Sequence, residues 1–459
     1  MSARRRCERG ILRLLFAAMT RWGIVLVRGA WASWALLTRV EGGALTDREA
    51  PSLAERLAHA RAILSEVPLI DGHNDLVMNI RTVLENQLED FPFDKNLTEV
   101  EPWASRSNCH TDIPRLRAGQ VGAQFWSAYV PCRSQYKNAL TQTLEQIDVI
   151  HRLVDKFPED LQLVTSSEGI LNAHAHGKIG CMVGVEGGHS MDSSLGTLRT
   201  FYRQGVRYMT LTHMCNTPWA DNSAAEPEHL EFDGLTAWGE TVVKEMNRLG
   251  MLVDISHVAS QTMNDVLDIT RAPVIFSHSD TRALCNITRN IPDDVLVRLM
   301  ELPLQRTENG AISTNLISDS LTDPHFGFCR RVHENGGIAM VNFLPDFLSC
   351  SSTATLQDVV AHINHIRDIA GPDHVGLGSD YEGITTVPEG LEDVSKYPYI
   401  FAELLLDPKW TDEDLKKLAG MNLIRVFQEV ERLASLSTNL FRFIYPFLPL
   451  HWVSYTASP

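Results

Sequence analysis

Three histidines and two carboxylates carry most of the chemistry available to this chain. His73 and Asp75 stand two apart in D-G-H-N-D, followed much later by Glu186, His257 and His278. Each sits where a short apolar run stops. Alternate residues leaving a strand point the same way, so His73 and Asp75 can reach one ion. A carboxylate such as Glu186 can bridge two ions, with His257 and His278 completing the second. Imidazole and carboxylate donors in this mixture suit a pair of zinc ions. Such a pair activates water and polarises a substrate carbonyl. A lone histidine is more often a hydrogen-bonded core or surface residue. Five ligand-type residues at four strand ends argue against that reading for the set.

Three further residues could complete a hydrolytic site. His213 ends another apolar run, in T-L-T-H-M-C-N-T-P-W-A-D-N, where an imidazole could donate to a developing oxyanion or simply pack under Trp219. Asp380, in G-L-G-S-D-Y-E-G, could carry a proton from the attacking water to the leaving nitrogen. It could instead orient a metal-ligating histidine, and Glu382 is a rival for either role. Arg289 lies beyond His278, where its guanidinium could clamp a substrate carboxylate through two bonds; taken alone it would be a solvated arginine. His151, His362 and His365 fall in helical runs and read as structural.

The elements that must position these residues are eight apolar runs of strand length, at 67–70, 121–127, 179–185, 206–212, 251–256, 273–277, 337–343 and 374–378. Runs apolar on both faces read as buried parallel strands. Helical periodicity fills 140–157, 195–202, 235–249 and 356–369, with another helix around 423–433. Gly205 and Gly250 stop helices just before strands. Strand alternating with helix predicts a (β/α)8 TIM-type barrel of the metal-dependent hydrolase kind, whose strand ends converge on one face. A doubly wound sheet is the fallback, but no G-x-G-x-x-G follows the first run, which disfavours a dinucleotide site.

The 459 residues divide into a segment at 1–45, a barrel at 46–435 with an atypical insertion near 301–334, and an atypical tail at 436–459. The first segment carries eight arginines and one acid before residue 40. Arginines interrupt its apolar stretches, against a membrane span; it reads as a targeting or disordered segment, first of all a secretory signal, with an arginine-rich transit peptide or a misassigned start as the alternatives. The insertion is polar, irregular and long for a connection in a compact domain. With 44% hydrophobic and 21% charged residues the chain is globular. Its formal charge of −16 offers no basic surplus for nucleic acid. None of the eight cysteines forms a C-x-x-C pair, which disfavours a zinc ribbon. Sequons at Asn96 and Asn286 would be glycosylated on a secretory route.

At these same residues the chain resembles the membrane dipeptidase (renal dipeptidase) family of zinc peptidases. The resemblance runs from about Leu69 to Phe427. It rests on D-G-H-N-D at Asp71, R-A-G-Q-V-G-A-Q-F-W-S at Arg117, G-V-E-G-G-H-S at Gly184 and T-H-M-C-N-T-P-W-A-D at Thr212. A-P-V-I-F-S-H-S at Ala272, R-N-I-P-D-D at Arg289 and G-L-E-D-V-S-K-Y-P at Gly390 extend it. It implies a (β/α)8 barrel with two Zn2+, one held by His73, Asp75 and Glu186, the other by Glu186, His257 and His278. His213 is then the oxyanion or substrate histidine, Arg289 the carboxylate-binding arginine and Asp380 the general acid/base. The implied substrates are dipeptides with a free C-terminal carboxylate, including cysteinyl-glycine conjugates such as leukotriene D4. Disulfides Cys132–Cys215 and Cys285–Cys350 are implied as well, leaving Cys109, Cys181 and Cys329 of the barrel unassigned, with Cys181 a buried thiol. So are an extracellular or cell-surface location, a glycolipid (GPI) membrane anchor and a homodimer, although the C-terminus lacks the family's late cysteine and a clear anchor signal. Phe347 and Met78 depart from a tyrosine and a tryptophan found near the pocket of some members. The insertion starts soon after Arg289 and falls within the loop Cys285–Cys350 would close, where it could displace the clamp. Two other readings stay open: lactone or β-lactam opening on the same metals, and a catalytically silent surface protein that binds a ligand or partner.

Overall fold

The computed structural model describes residues 51–300 and 335–444, with side chains described as far as 436. The segment at 1–45, the insertion at 301–334 and the tail beyond 444 lie outside the described residues. Among the described residues nine parallel strands run β1 (Leu69–Asn74), β2 (Val121–Tyr129), β3 (Leu161–Leu163), β4 (Ile179–Glu186), β5 (Val206–Thr210), β6 (Leu252–Asp254), β7 (Val274–Phe276), β8 (Ile338–Val341) and β9 (Val375–Leu377). β2 pairs β4 from Ala123↔Gly180 to Tyr129↔Glu186, and β1 meets β9 at Asp71↔Leu377. The ring β1-β2-β4-β5-β6-β7-β8-β9 therefore closes into the eight-stranded barrel of a (β/α)8 fold.

The ninth strand, β3, is additional to the eight expected. It pairs with the first residues of β4, Leu161↔Ile179 to Leu163↔Cys181, and β5 takes over the same edge from Val183. Three residues with one fully buried side chain give too little alternation to be read as a strand. β6 and β7 are shorter than their apolar runs for a different reason. Asp254, at the end of β6, accepts the backbone N–H of both Ser256 (3.1 Å) and Ser277 (2.9 Å). A carboxylate thus takes the donors that would have continued the ladder.

Helices Ala139–Lys156, Leu195–Arg203, Ala237–Leu249 and Leu356–Ala370 cover the outside, close to their expected positions. Side-chain caps from Ser194 and Thr236 start the second and third, and a Thr355/Asp358 capping box starts the fourth. Inside the barrel, Ile70, Phe125, Met182, Leu252, Ile275 and Met340 form one buried cluster with Leu423, Ile424 and Phe427. The helix Asn422–Ile444 therefore closes the end where strands begin, and Asn422 donates to the Val375 carbonyl at 2.9 Å. The opposite end is left to the loops.

Two disulfides brace that open face. Cys132–Cys215 joins the turn after β2 to the loop after β5, and Cys285–Cys350 joins the loops after β7 and β8. Cys109 and Cys181 are free and buried. The flanks of the insertion lie at the other end. Asn335 N donates to Arg298 O and Gly336 N to Leu299 O, both at 3.1 Å. The Asn335 side chain accepts from Val274 N at 2.8 Å, at the start of β7.

Candidate active site

The five ligand-type residues meet at the carboxyl ends of β1, β4, β6 and β7. His73 is the fifth residue of β1 and Asp75 follows its end, while Glu186 ends β4. His257 and His278 lie just beyond β6 and β7. Glu186 is buried and divides its two oxygens. Oε2 lies 3.5 Å from His73 Nε2; Oε1 lies 3.1 Å from His257 Nε2 and 3.5 Å from His278 Nε2. Asp75 Oδ2 is 3.2 Å from His73 Nε2, and the Nε2 atoms of His257 and His278 are 2.9 Å apart.

The far side of the rings fixes which nitrogen faces inward. His73 Nδ1 meets the Tyr208 hydroxyl at 2.8 Å. His278 Nδ1 meets Ser277 Oγ at 2.8 Å, and that hydroxyl donates to Asp254 at 2.6 Å. Buried polar atoms without a hydrogen bond are rare, yet neither His73 Nε2, for all its carboxylate neighbours, nor Asp75 Oδ1 makes one. Inward-facing nitrogens, an orphaned carboxylate oxygen and a central carboxylate form a donor set that fits divalent cations. His73 Asp75 Glu186, Glu186 His213 His257 and His73 His278 Asp380 each bring three ligand atoms within 4.8 Å of one another. A fourth such trio, Cys132 His189 Cys215, is no metal site because its sulfurs form the disulfide.

Electrostatics suit the same reading. Burial pulls His257 and His278 well below the ordinary range, helped by the Arg289 charge and neighbouring imidazoles, so both are neutral. Burial opposes ionisation of Glu186, but His73 and His213 outweigh it and hold the carboxyl well below its usual value. For His73 burial is likewise overcome, by Tyr208, Asp75 and Glu186, and its basicity rises. Protons and metal compete for such a nitrogen.

A cavity of about 260 Å³ opens above these groups, lined in part by Asp75, Glu186, His213, His257 and Asp380. His213 follows β5 with Nε2 3.8 Å from Glu186 Oε1, and its ring packs edge-on to Tyr129 at 5.0 Å. Burial lowers its basicity. Asp380 accepts from Asn342 Nδ2 at 2.9 Å, and burial, aided by Asp75 and Glu186, pushes it up to about 7. His257 and Asp380 both have left-handed backbone, at φ 65° and 66°, a sparsely populated conformation for a non-glycine residue. Gly383 lies so close that a Cβ there would fall 2.3 Å from Asp75 Oδ2 and 2.8 Å from Asp380 Oδ1.

Phe347 and Met78 line the cavity, but Arg289 does not. Its guanidinium lies 5.4 Å from the Phe347 ring, donates to the His278 carbonyl at 2.6 Å and bonds Ser279 Oγ. Its Nε has no partner. Glu382 points away from the cavity, accepting from Asn79 Nδ2 at 2.7 Å and His110 N at 2.8 Å. His151, His362 and His365 are hydrogen-bonded to Gln204, Leu348 and Asp293. Asn286 is exposed, whereas Asn96 is half-buried and donates to Glu99 at 2.9 Å. Sequence reasoning missed Tyr208, Ser277, Asp254 and Tyr129. Tyr208 sits in a strand run like any core aromatic, and no local signal marks it as a histidine's partner.

A family model described as membrane dipeptidase (peptidase family M19) matches residues 57–324 and 318–439. Dipeptidase 3 of Mus musculus is 41% identical over 384 residues, 83% of this chain and 68% of that protein. Dipeptidase 3 of Homo sapiens is 41% identical over 390 residues, 84% and 70% of the two chains. Among solved structures, the probable dipeptidase PvdM from Pseudomonas aeruginosa superposes with a TM-score of 0.65 at 20% identity, covering 83% of this chain and 99% of its own. A metallopeptidase from Rhodobacter sphaeroides, liganded with a phosphinate mimic of L-Ala-D-Ala, gives 0.63 at 21% identity, covering 79% and 99%. These two share the fold.

Proposed function

This chain belongs to the membrane dipeptidase family, a family of metallodipeptidases, and from that premise we propose that it is a dinuclear zinc dipeptidase acting on dipeptides with a free C-terminal carboxylate. The observation that carries the proposal is the divided Glu186 carboxylate, one oxygen toward His73 and the other toward His257 and His278. His73, Asp75 and Glu186 would hold one ion, and Glu186, His257 and His278 the other. Bound zinc supplies an acidified water and polarises the scissile carbonyl.

The chain's own groups do the rest. A carboxyl at about 7, as burial sets Asp380, can take a proton from the attacking water and return it to the leaving amine. The Asn342 amide holds that carboxyl over the cavity. His213, kept neutral by burial, donates a hydrogen bond to the oxygen that gains negative charge. Arg289 provides fixed positive charge on the β7 side, where the substrate carboxylate belongs. Cysteinyl-glycine conjugates such as leukotriene D4 satisfy this substrate definition. The two disulfides support a secretory-pathway location, at the cell surface or outside. No helix among the described residues is long and apolar enough to cross a membrane; membrane attachment and a homodimer rest on family membership.

Hydrolysis of glycyl-dehydrophenylalanine by the purified chain, with and without chelator, tests the reading beside Glu186→Gln. Chelator-sensitive turnover that disappears in the variant is expected. Near-normal turnover in Glu186→Gln refutes the bridged pair. Preference for neutral lactones or β-lactams over free-carboxylate dipeptides replaces the dipeptidase with another hydrolase. Zinc retention without hydrolysis of any substrate identifies a silent binding protein.

A further inference from the structure

Beside the metal-ligand cavity lies a second of about 350 Å³, and Met78 and Tyr129 line both. Its other walls include Arg81, Thr82, Arg133 and Gln142, with no acidic residue. Met78, Arg81 and Thr82 share one face of the helix Leu76–Leu84 that follows β1, at positions i, i+3 and i+4. Arg133 stands in the turn Cys132–Ser134 that leaves β2, held by the Cys132–Cys215 disulfide. Gln142 is tied to that turn by its bond to Ser134 Oγ at 3.0 Å. The walls are therefore built and fixed.

The charges are unequal. Arg81 bonds Glu145, which offsets part of its charge. Arg133 is exposed and makes no ion pair with the described residues. Its cation has room for an anion beside the cleavage cavity.

Barrel order says which end of a substrate arrives there. β2 and β7 are diametrically opposed in the eight-stranded ring. Arg289 follows β7, whereas Tyr129 ends β2 and Arg133 follows it. A dipeptide with its carboxylate drawn toward Arg289 and its peptide bond over Glu186 projects its first residue toward β2. We propose that the side cavity is an anion subsite for that first side chain, so that dipeptides beginning with an acidic residue are favoured substrates. This rests on the dipeptidase reading and names its substrate class.

The test is calorimetric titration of the zinc-loaded full chain with two uncleavable reduced-bond dipeptides, identical except for Glu or Gln at the first position. The Glu compound is expected to bind about fivefold more tightly, the upper range for an exposed ion pair. Arg133→Gln should bring the ratio close to one, and Arg133→Glu should reverse it in favour of a first-position Lys analogue. Equal affinities in the unaltered protein overturn the subsite and leave the dipeptidase standing. A ratio that survives both Arg133→Gln and Arg81→Gln overturns it too. Failure to bind either compound overturns the dipeptidase reading and the subsite with it.

Discussion

Tyr208→Phe isolates a single atom of the site. The Tyr208 hydroxyl lies 2.8 Å from His73 Nδ1, and both side chains are fully buried. If His73 gives its Nε2 lone pair to a cation, Nδ1 carries the hydrogen and the hydroxyl must accept it. Phenylalanine keeps the ring and leaves that N–H buried with no acceptor, which costs about 1–3 kcal/mol. Packing contributes little, since only one oxygen is lost. At about 1.4 kcal/mol per tenfold, and with partners of ligating histidines typically worth roughly 10–100-fold in affinity, zinc at the His73 side should weaken by about 10–100-fold. Competition against a graded series of chelators measures this, with the second ion as internal reference. Gly184→Ala approaches from the other side, because a Cβ there would sit 2.1 Å from the Tyr208 ring and displace it. Affinities unchanged within about twofold in Tyr208→Phe would refute a proton on Nδ1 and with it Nε2 ligation by His73.

Gly383→Ala should fold but lose metal and activity, because its methyl group would displace the Asp75 carboxylate from 2.3 Å away; metal analysis and circular dichroism check this, and full zinc occupancy would count against it. Arg289→Met should raise KM for dipeptides by roughly fivefold, as expected for a buried charge that attracts the substrate carboxylate by about 1 kcal/mol without a direct bond. An unchanged KM with a lowered melting temperature would make Arg289 a support for the His278 carbonyl only. Burial pushes Glu382 up to about 7 from an ordinary 4.5, so the folded chain binds this proton more tightly than the unfolded one. Its contribution is full below pH 4.5 and is lost as pH rises to about 7, and the shift is worth up to about 3 kcal/mol. Urea denaturation across that window should show Glu382→Gln losing less stability than the unaltered chain; parallel curves would dismiss the effect, whatever the constant offset between them.

The residues proposed as metal ligands were legible because β-branched and sulfur-bearing runs stop abruptly at polar residues, and a parallel barrel gathers all such stops on one face. The same logic found His213 and Asp380. It could not find Tyr208 or Gly383, which act through where a ring or an empty space falls in three dimensions. Asp71 is a similar case: quoted within D-G-H-N-D, it anchors β1 by accepting from Gln124, Ser379 and Tyr397. Strand ends blurred where Asp254 intercepts backbone donors, and β3 was too short to show a period. Arg289 was legible as a cation near the site, but its burial behind Phe347 depends on a backbone carbonyl that sequence does not mark.

The paired bonds from Asn335 and Gly336 back to Arg298 and Leu299 have a consequence for how this gene can vary. The chain departs and re-enters at one doorway on the floor of the barrel, remote from the catalytic roof. Added length there leaves both doorposts where they are. Closing a longer loop costs only about 0.6 kcal/mol per doubling, so selection for stability resists growth or trimming at this junction only weakly. The junction is thus a natural port for fusing a reporter or affinity handle, or for excising residues 301–334, with the hydrolytic centre left as a reference that should not change.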